Sequence, residues 1–182
     1  MSRPASASPA WQSWLGTVAV VLGVLLAAAH GTEWTKQRVL AYATPEDGIL
    51  PAAECPEDEL IEEGLSLGEC EQLVENVRRY IVSAPEWFLG FQSRLAAIGT
   101  LLAFVSIGVG VALVDRRSWA PAASVVVFGA LALIDAAGFV AALNTGPILR
   151  EVYLWNALLW FSLHFMMTIG AAAGRASLGA PA

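Results

Sequence analysis

Four long apolar runs dominate this sequence and restrict what it can fold into. They lie at about 14–29, 88–114, 122–143 and 153–173. A run of roughly 20 apolar residues matches the roughly 30 Å hydrocarbon core of a bilayer, and backbone inside lipid must satisfy its own hydrogen bonds as helix. With 57% hydrophobic and only 14% charged residues, the chain is too apolar for an ordinary soluble domain. The sequence therefore predicts an all-α integral membrane protein, a bundle of four transmembrane helices.

The acidic residues are concentrated between the first two runs. Residues 31–86 hold 13 of the 16 acidic residues but only 4 of the 10 basic ones, so the rest of the chain is mildly basic. This asymmetry divides the chain into a bundle and one small loop domain. The predicted segments are an N-terminus with the first span at 1–30, the acidic loop domain at 31–86, a second span at 87–114, a turn at 115–121, a third span at 122–143, a short loop at 144–152, a fourth span at 153–174 and a tail at 175–182.

Basic residues in short loops mark the cytoplasmic side of a membrane protein. Arg3 precedes the first run, Arg116 and Arg117 follow the second, and Arg175 follows the fourth. Both termini and the 115–121 turn are therefore predicted to be cytoplasmic, with the 31–86 loop periplasmic or extracellular. The single Lys and the Ala/Arg-rich ends favour a bacterial inner membrane.

The first run has a second interpretation. It ends in Ala27-Ala28-Ala29, which fits the small residues of a signal-peptidase site, and cleavage there would leave three spans. Trp11 and Trp14 flank the start of the run as interfacial anchors do. They favour a retained transmembrane helix.

The acidic loop carries signals for two helices after an irregular stretch at 43–53. Acidic residues after Pro56 suit the first turn of a short helix that Gly64 can end. Ser66 and Glu69 have the spacing of a capping box, and apolar residues then recur at helical spacing through position 82. The loop therefore predicts a small helical domain with a second helix at 66–82.

Cys55 and Cys70 are the only cysteines, and both lie in this loop on the predicted oxidising side. A disulfide between them would close a loop of about 15 residues and stabilise the fold by roughly 3 kcal/mol. A reduced pair and a zinc site are the alternatives, but two thiols without a histidine in the loop make a poor zinc set. We expect a disulfide and no metal.

Two ionisable residues fall inside apolar runs. Asp135 lies in the third run and His164 near the centre of the fourth. Charged groups at the centre of a bilayer cost roughly 2.5–3.5 kcal/mol, so they face a partner or water. The two helices are antiparallel neighbours, which makes Asp135 and His164 a candidate intramembrane polar pair. The pair could be a structural lock, a proton relay or the orienting half of a metal or quinone site. His30 is expected at the end of the first helix, which argues against a bis-histidine haem, and no cofactor or catalytic residue is predicted.

Small residues spaced four apart allow close approach of helices in lipid. The second and fourth runs contain three such pairs and predict a tight bundle or an oligomer. The candidate packing residues are Gly99, Ala103, Ser106, Gly110, Gly170 and Gly174.

The order of short termini, a long first loop with one cysteine pair, a basic turn and a short second loop resembles the tetraspan plan of claudin-type proteins. The resemblance covers topology alone. The Gly-Leu-Trp element of that family is absent here, although Trp34 and the Cys55/Cys70 pair are present. The loop sequence predicts helices where that family has strands. It therefore implies the four-span plan and no function.

Three functions fit these features. The favoured hypothesis is a non-catalytic accessory or assembly subunit of a larger membrane complex, whose partners are other integral membrane subunits, the lipid bilayer and an extracytoplasmic protein on the acidic loop. The alternatives are a quinone- or metal-linked electron/proton-transfer subunit that uses Asp135 and His164, and a small transporter or channel with Asp135 as the coupling carboxylate. No basic stripe exists for nucleic acid, and an enzyme is the less favoured class.

Overall fold

The computed structural model describes residues 10–43 and 55–178. Within them the chain forms six α-helices and no strand. The irregular stretch predicted at 43–53 lies almost wholly outside the described residues. The helices are α1 (Ala10–Ala43), α2 (Glu57–Glu63), α3 (Leu67–Ser83), α4 (Glu86–Val114), α5 (Ala120–Leu143) and α6 (Pro147–Leu178).

Four of these helices, α1, α4, α5 and α6, are long and apolar enough to cross a membrane. A multi-pass membrane protein follows from their length and composition. The helix bounds differ from the predicted segments mainly in α1, which continues through residues 31–43 that the charge pattern assigned to the loop. Helix α6 likewise begins at Pro147, within the predicted short loop.

The four long helices form an incomplete ring. Helix α1 packs along α4, α4 contacts α5, and α5 packs along α6, whereas α1 and α6 touch at only a few points. We call the end of the bundle that bears α2 and α3 the cap side, and the end with the 115–119 connection the turn side. The α1–α6 seam is therefore the loosely packed side of the ring.

The α1–α4 contact depends on small residues on both helices. A Cβ built on Gly110 would lie 2.8 Å from the carbonyl oxygen of Gly16, and one built on Gly23 would lie 3.2 Å from the carbonyl oxygen of Ala103. Ala103 and Ser106 are buried in the same region of α4. The predicted packing stripe on the second span therefore faces α1, where it permits backbone to approach backbone.

The two candidate packing glycines on α6 have different surroundings. Gly174 lies against the indole of Trp11 on α1, since an added Cβ would come within 2.6 Å of the ring. Gly170 is exposed, and no neighbouring atom lies within 4 Å of a Cβ built there. Of these two glycines, only Gly174 lies so close to another described helix that an added Cβ would clash with it.

Helices α2 and α3 form the small helical domain predicted from the acidic loop, which we call the cap. Pro56 precedes α2, and Gly64 ends it in the left-handed region at φ 69°. Ser66 caps α3 with both bonds of the predicted capping box. The predicted disulfide joins Cys55 to Cys70 and so holds the two helices together.

The capping box also determines the electrostatics of the start of α3. The hydroxyl of Ser66 donates to Glu69 Oε2 at 2.7 Å, and the backbone N–H of Ser66 donates to the same oxygen at 2.8 Å. These bonds favour the charged carboxylate and hold the pKa of Glu69 below its ordinary value.

Candidate functional site

The centre of the site is the Asp135–His164 pair, which the structure brings into contact. His164 Nδ1 lies 2.6 Å from Asp135 Oδ2, and the two side chains are 2% and 5% exposed. Asp135 lies eight residues before the end of α5, about 12 Å from that end at 1.5 Å per helical residue. Trp160, one turn before His164 on α6, stacks on the imidazole with centroids 5.7 Å apart. The pair is thus fixed deep in the bundle.

A cavity of about 220 Å³ lies beside this pair on its cap side. All four long helices contribute to its wall, with Leu26 and Leu95 among the apolar residues. Its polar lining consists of His30, Glu33, Gln92, Asp135, Tyr153 and Asn156. Asp135 of the buried pair and Glu33 at the cap end therefore border the same cavity.

His30 belongs to this site although its position in the sequence did not suggest it. Its ring lies against Gly99 of α4, where an added Cβ would come within 2.6 Å of the ring. Its Nε2 is buried and has no hydrogen-bond partner among the described residues. Gly99, predicted as a helix-packing residue, therefore also makes room for an imidazole inside the bundle.

The cap end of the cavity is bounded by a hydrogen-bonded cluster that joins three helices. Tyr153 of α6 donates to Glu33 Oε1 on α1 at 2.6 Å, and Lys36 Nζ lies 2.7 Å from Glu33 Oε2. Tyr80 of α3 lies with its hydroxyl 2.5 Å from that of Tyr153. The side-chain N–H of Gln37 donates to Glu33 Oε1 at 2.6 Å. We call these five residues the tyrosine cluster, and it attaches the cap to the bundle.

The arrangement has the chemistry of proton exchange. A carboxyl and an imidazole in direct contact can pass a proton between them, and a polar cavity of this size can hold several waters beside them. Among the described residues no group of three or more His, Cys, Asp or Glu side chains could hold a metal ion.

The other predicted site residues lie outside this cavity. Cys55 and Cys70 belong to the cap, and Ala103, Ser106 and Gly110 serve the α1–α4 contact. No protein-family model, curated protein or solved structure matches this chain.

Proposed function

We propose that this chain is a membrane-embedded proton-transfer protein in which the Asp135–His164 pair exchanges protons with the cap side, as in an electron/proton-transfer subunit. The observation that carries the proposal is the cavity that borders both Asp135 and Glu33. A polar side chain kept only to lock two helices together has no need of such a space. Intramembrane carboxylates that border a polar cavity are typical of proton and ion pathways.

The direction of exchange follows from the charge pattern of the loops. Arg116 and Arg117 lie in the turn-side connection, and the acidic cap lies at the other end of the bundle. The positive-inside rule then makes the turn side and both termini cytoplasmic and the cap extracytoplasmic. In a bacterial inner membrane, the pair would exchange protons with the periplasm.

Substituted-cysteine labelling tests whether water reaches the cavity. Ala157 lines it, whereas Val140 is 56% exposed on the outside of α5. The two residues lie seven and five positions from His164 and Asp135, both toward the cap side, so their depths are similar. A charged, membrane-impermeant thiol reagent needs a thiolate, which forms in water rather than lipid, so Ala157→Cys should react about tenfold faster or more than Val140→Cys. Equal slow reaction would contradict the proposal.

Infrared difference spectroscopy between mildly basic and mildly acidic pH tests the proton site itself. The spectrum should contain a carboxyl band that disappears in Asp135→Asn and persists in Asp115→Asn, the control at the exposed turn-side end of α4. A spectrum that Asp135→Asn leaves unchanged would refute proton exchange at this residue. Proton-coupled transport by the purified protein in liposomes, lost in Asp135→Asn, would assign the pair to the transporter alternative.

The accessory-subunit function remains a second proposal, because the cap presents an apolar surface that the described residues do not bury. Helix α3 has no buried residue, and Leu67, Leu73 and Val77 are about half exposed. A membrane subunit or an extracytoplasmic protein that covers these side chains would explain their exposure. Purification in mild detergent should then yield a second subunit at near-unit stoichiometry that Leu73→Glu releases, and a lone monomer after crosslinking in native membranes would contradict it.

A further inference from the structure

The α1–α6 seam is held together at both ends and open between them. At the turn side the indole of Trp11 contacts Gly174. At the cap side Tyr153 is hydrogen-bonded to Glu33 at 2.6 Å. Between these contacts lies the cavity, and Asn156 on its wall is exposed. Because α1 and α6 touch at only a few points, we take the gap between the two contacts as a lateral window by which the cavity opens toward the lipid.

The charges that line the cavity are compensated within the protein. Glu33 is paired with Lys36 at 2.7 Å and accepts hydrogen bonds from neighbouring side chains. Asp135 is bonded to His164 at 2.6 Å. A charged ligand entering from lipid would lose its hydration without gaining an unpaired partner. The lining therefore suits an uncharged ligand.

The size and the walls of the cavity suit one ring. Its volume of about 220 Å³ is below the roughly 300–1,000 Å³ of pockets for drug-sized ligands. Trp160, which also stacks on the ring of His164, contributes an aromatic wall. Leu26 and Leu95 add apolar surface on α1 and α4. A planar head group fits these walls, and an attached apolar tail could leave through the lateral window.

Two of the hydrogen-bonding groups left over in the cavity fit the substituents of such a ring. Asp135 uses Oδ2 for His164, and its Oδ1 has no hydrogen-bond partner among the described residues. The Gln92 side-chain amide is likewise unpaired within that part of the chain. A hydroxyl can donate to Oδ1, and an oxygen across the ring can bond to the amide. We infer that the cavity binds the head group of a lipid-soluble quinol or its quinone, an inference that rests on the proposed proton-exchange function.

Equilibrium binding to the full chain in lipid nanodiscs tests this inference. The probes are a decyl-tailed benzoquinol, the corresponding quinone and the tailless benzoquinol. The hydroxyl of the quinol can donate to Asp135 Oδ1 and the quinone has no such donor, so the tailed quinol should bind about tenfold tighter than the quinone. Asp135→Asn keeps the shape of the side chain and should remove that preference. Ala157→Phe should fill the cavity and abolish binding, whereas Ala137→Phe on the exposed face of α5 should leave it unchanged.

Several results would overturn the inference. One is the absence of saturable binding of the tailed probes to the wild-type chain. Another is that the tailless quinol binds as tightly as the tailed quinol. A third is that binding survives in an Ala157→Phe variant whose thermal unfolding is normal. Rapid labelling of Ala157→Cys without quinol binding would preserve the proton-exchange function and remove the ligand. Slow labelling together with an unchanged infrared band in Asp135→Asn would remove the function itself.

Discussion

Replacing Gly110 by alanine should destabilise the protein, because the new methyl group meets backbone. A Cβ at Gly110 would lie 2.8 Å from the carbonyl oxygen of Gly16 and 3.0 Å from Val20 Cγ2. The Val20 side chain can rotate, but the carbonyl oxygen can retreat only if α1 moves away from α4. Gly108, two residues earlier on the same helix, provides a matched control, because nothing lies within 4 Å of a Cβ built there.

The comparison of these two variants isolates the helix contact. Each Gly→Ala change gains up to about 1 kcal/mol of helix propensity, and this gain is common to both. Overpacking at Gly110 adds a cost of about 1–3 kcal/mol. The difference in free energy of unfolding between Gly108→Ala and Gly110→Ala should therefore be about 1–3 kcal/mol, a factor of roughly 5 to 150 in the equilibrium constant.

Reversible unfolding by SDS in mixed micelles, followed by circular dichroism, measures this difference. We expect Gly108→Ala to unfold at the same SDS fraction as the wild-type chain or a higher one, and Gly110→Ala at a lower one. If both variants unfold at the same SDS fraction, α1 and α4 do not approach as closely as the structure shows. The explanation of the small residues on α4 would then be wrong.

Two further predictions concern the cap, and native-state hydrogen exchange of α3 amides measures both. The bonds from Ser66 hold the pKa of Glu69 below its ordinary 4.5, so the capping box contributes stability above that pH and loses it as the pH falls through the lowered pKa. Acidification should therefore weaken the protection of amides at the start of α3 in the wild type and in the control Glu71→Gln. This pH dependence should be absent in Glu69→Gln. Tyr80→Phe removes the hydroxyl that lies 2.5 Å from that of Tyr153, so α3 should lose about 1 kcal/mol of protection, roughly fivefold in exchange rate; unchanged exchange would mean that the tyrosine cluster does not hold the cap.

The cap was the most predictable part of the fold because its signals are local. A capping box is complete within four residues, and Ser66 and Glu69 make both of its bonds in the structure. The disulfide followed from two cysteines separated by 15 positions in one loop. The Asp135–His164 contact could also be anticipated. When a short connection joins two antiparallel spans, residues at the same depth in the membrane lie beside each other.

The cavity could not be predicted, because it depends on partners that are distant in sequence. Hydropathy falls after Ala29, where Glu33 and Lys36 follow, so the first span was expected to end there. In the structure these side chains compensate one another, and α1 continues as helix through Ala43. His30 consequently lies inside the bundle, against a glycine 69 positions later in the chain.

The distribution of polar groups around the ring also argues against a purely structural pair. Glycine and alanine let α1 approach α4 closely, and buried hydrophobic side chains such as Phe128 and Leu131 fill the centre of the bundle. The polar side chains are concentrated instead beside the one seam that is loosely packed. In a bilayer an unfilled polar space is costly unless water or a ligand occupies it. A sequence that served only to hold helices together would have closed this seam with small residues, as it did between α1 and α4.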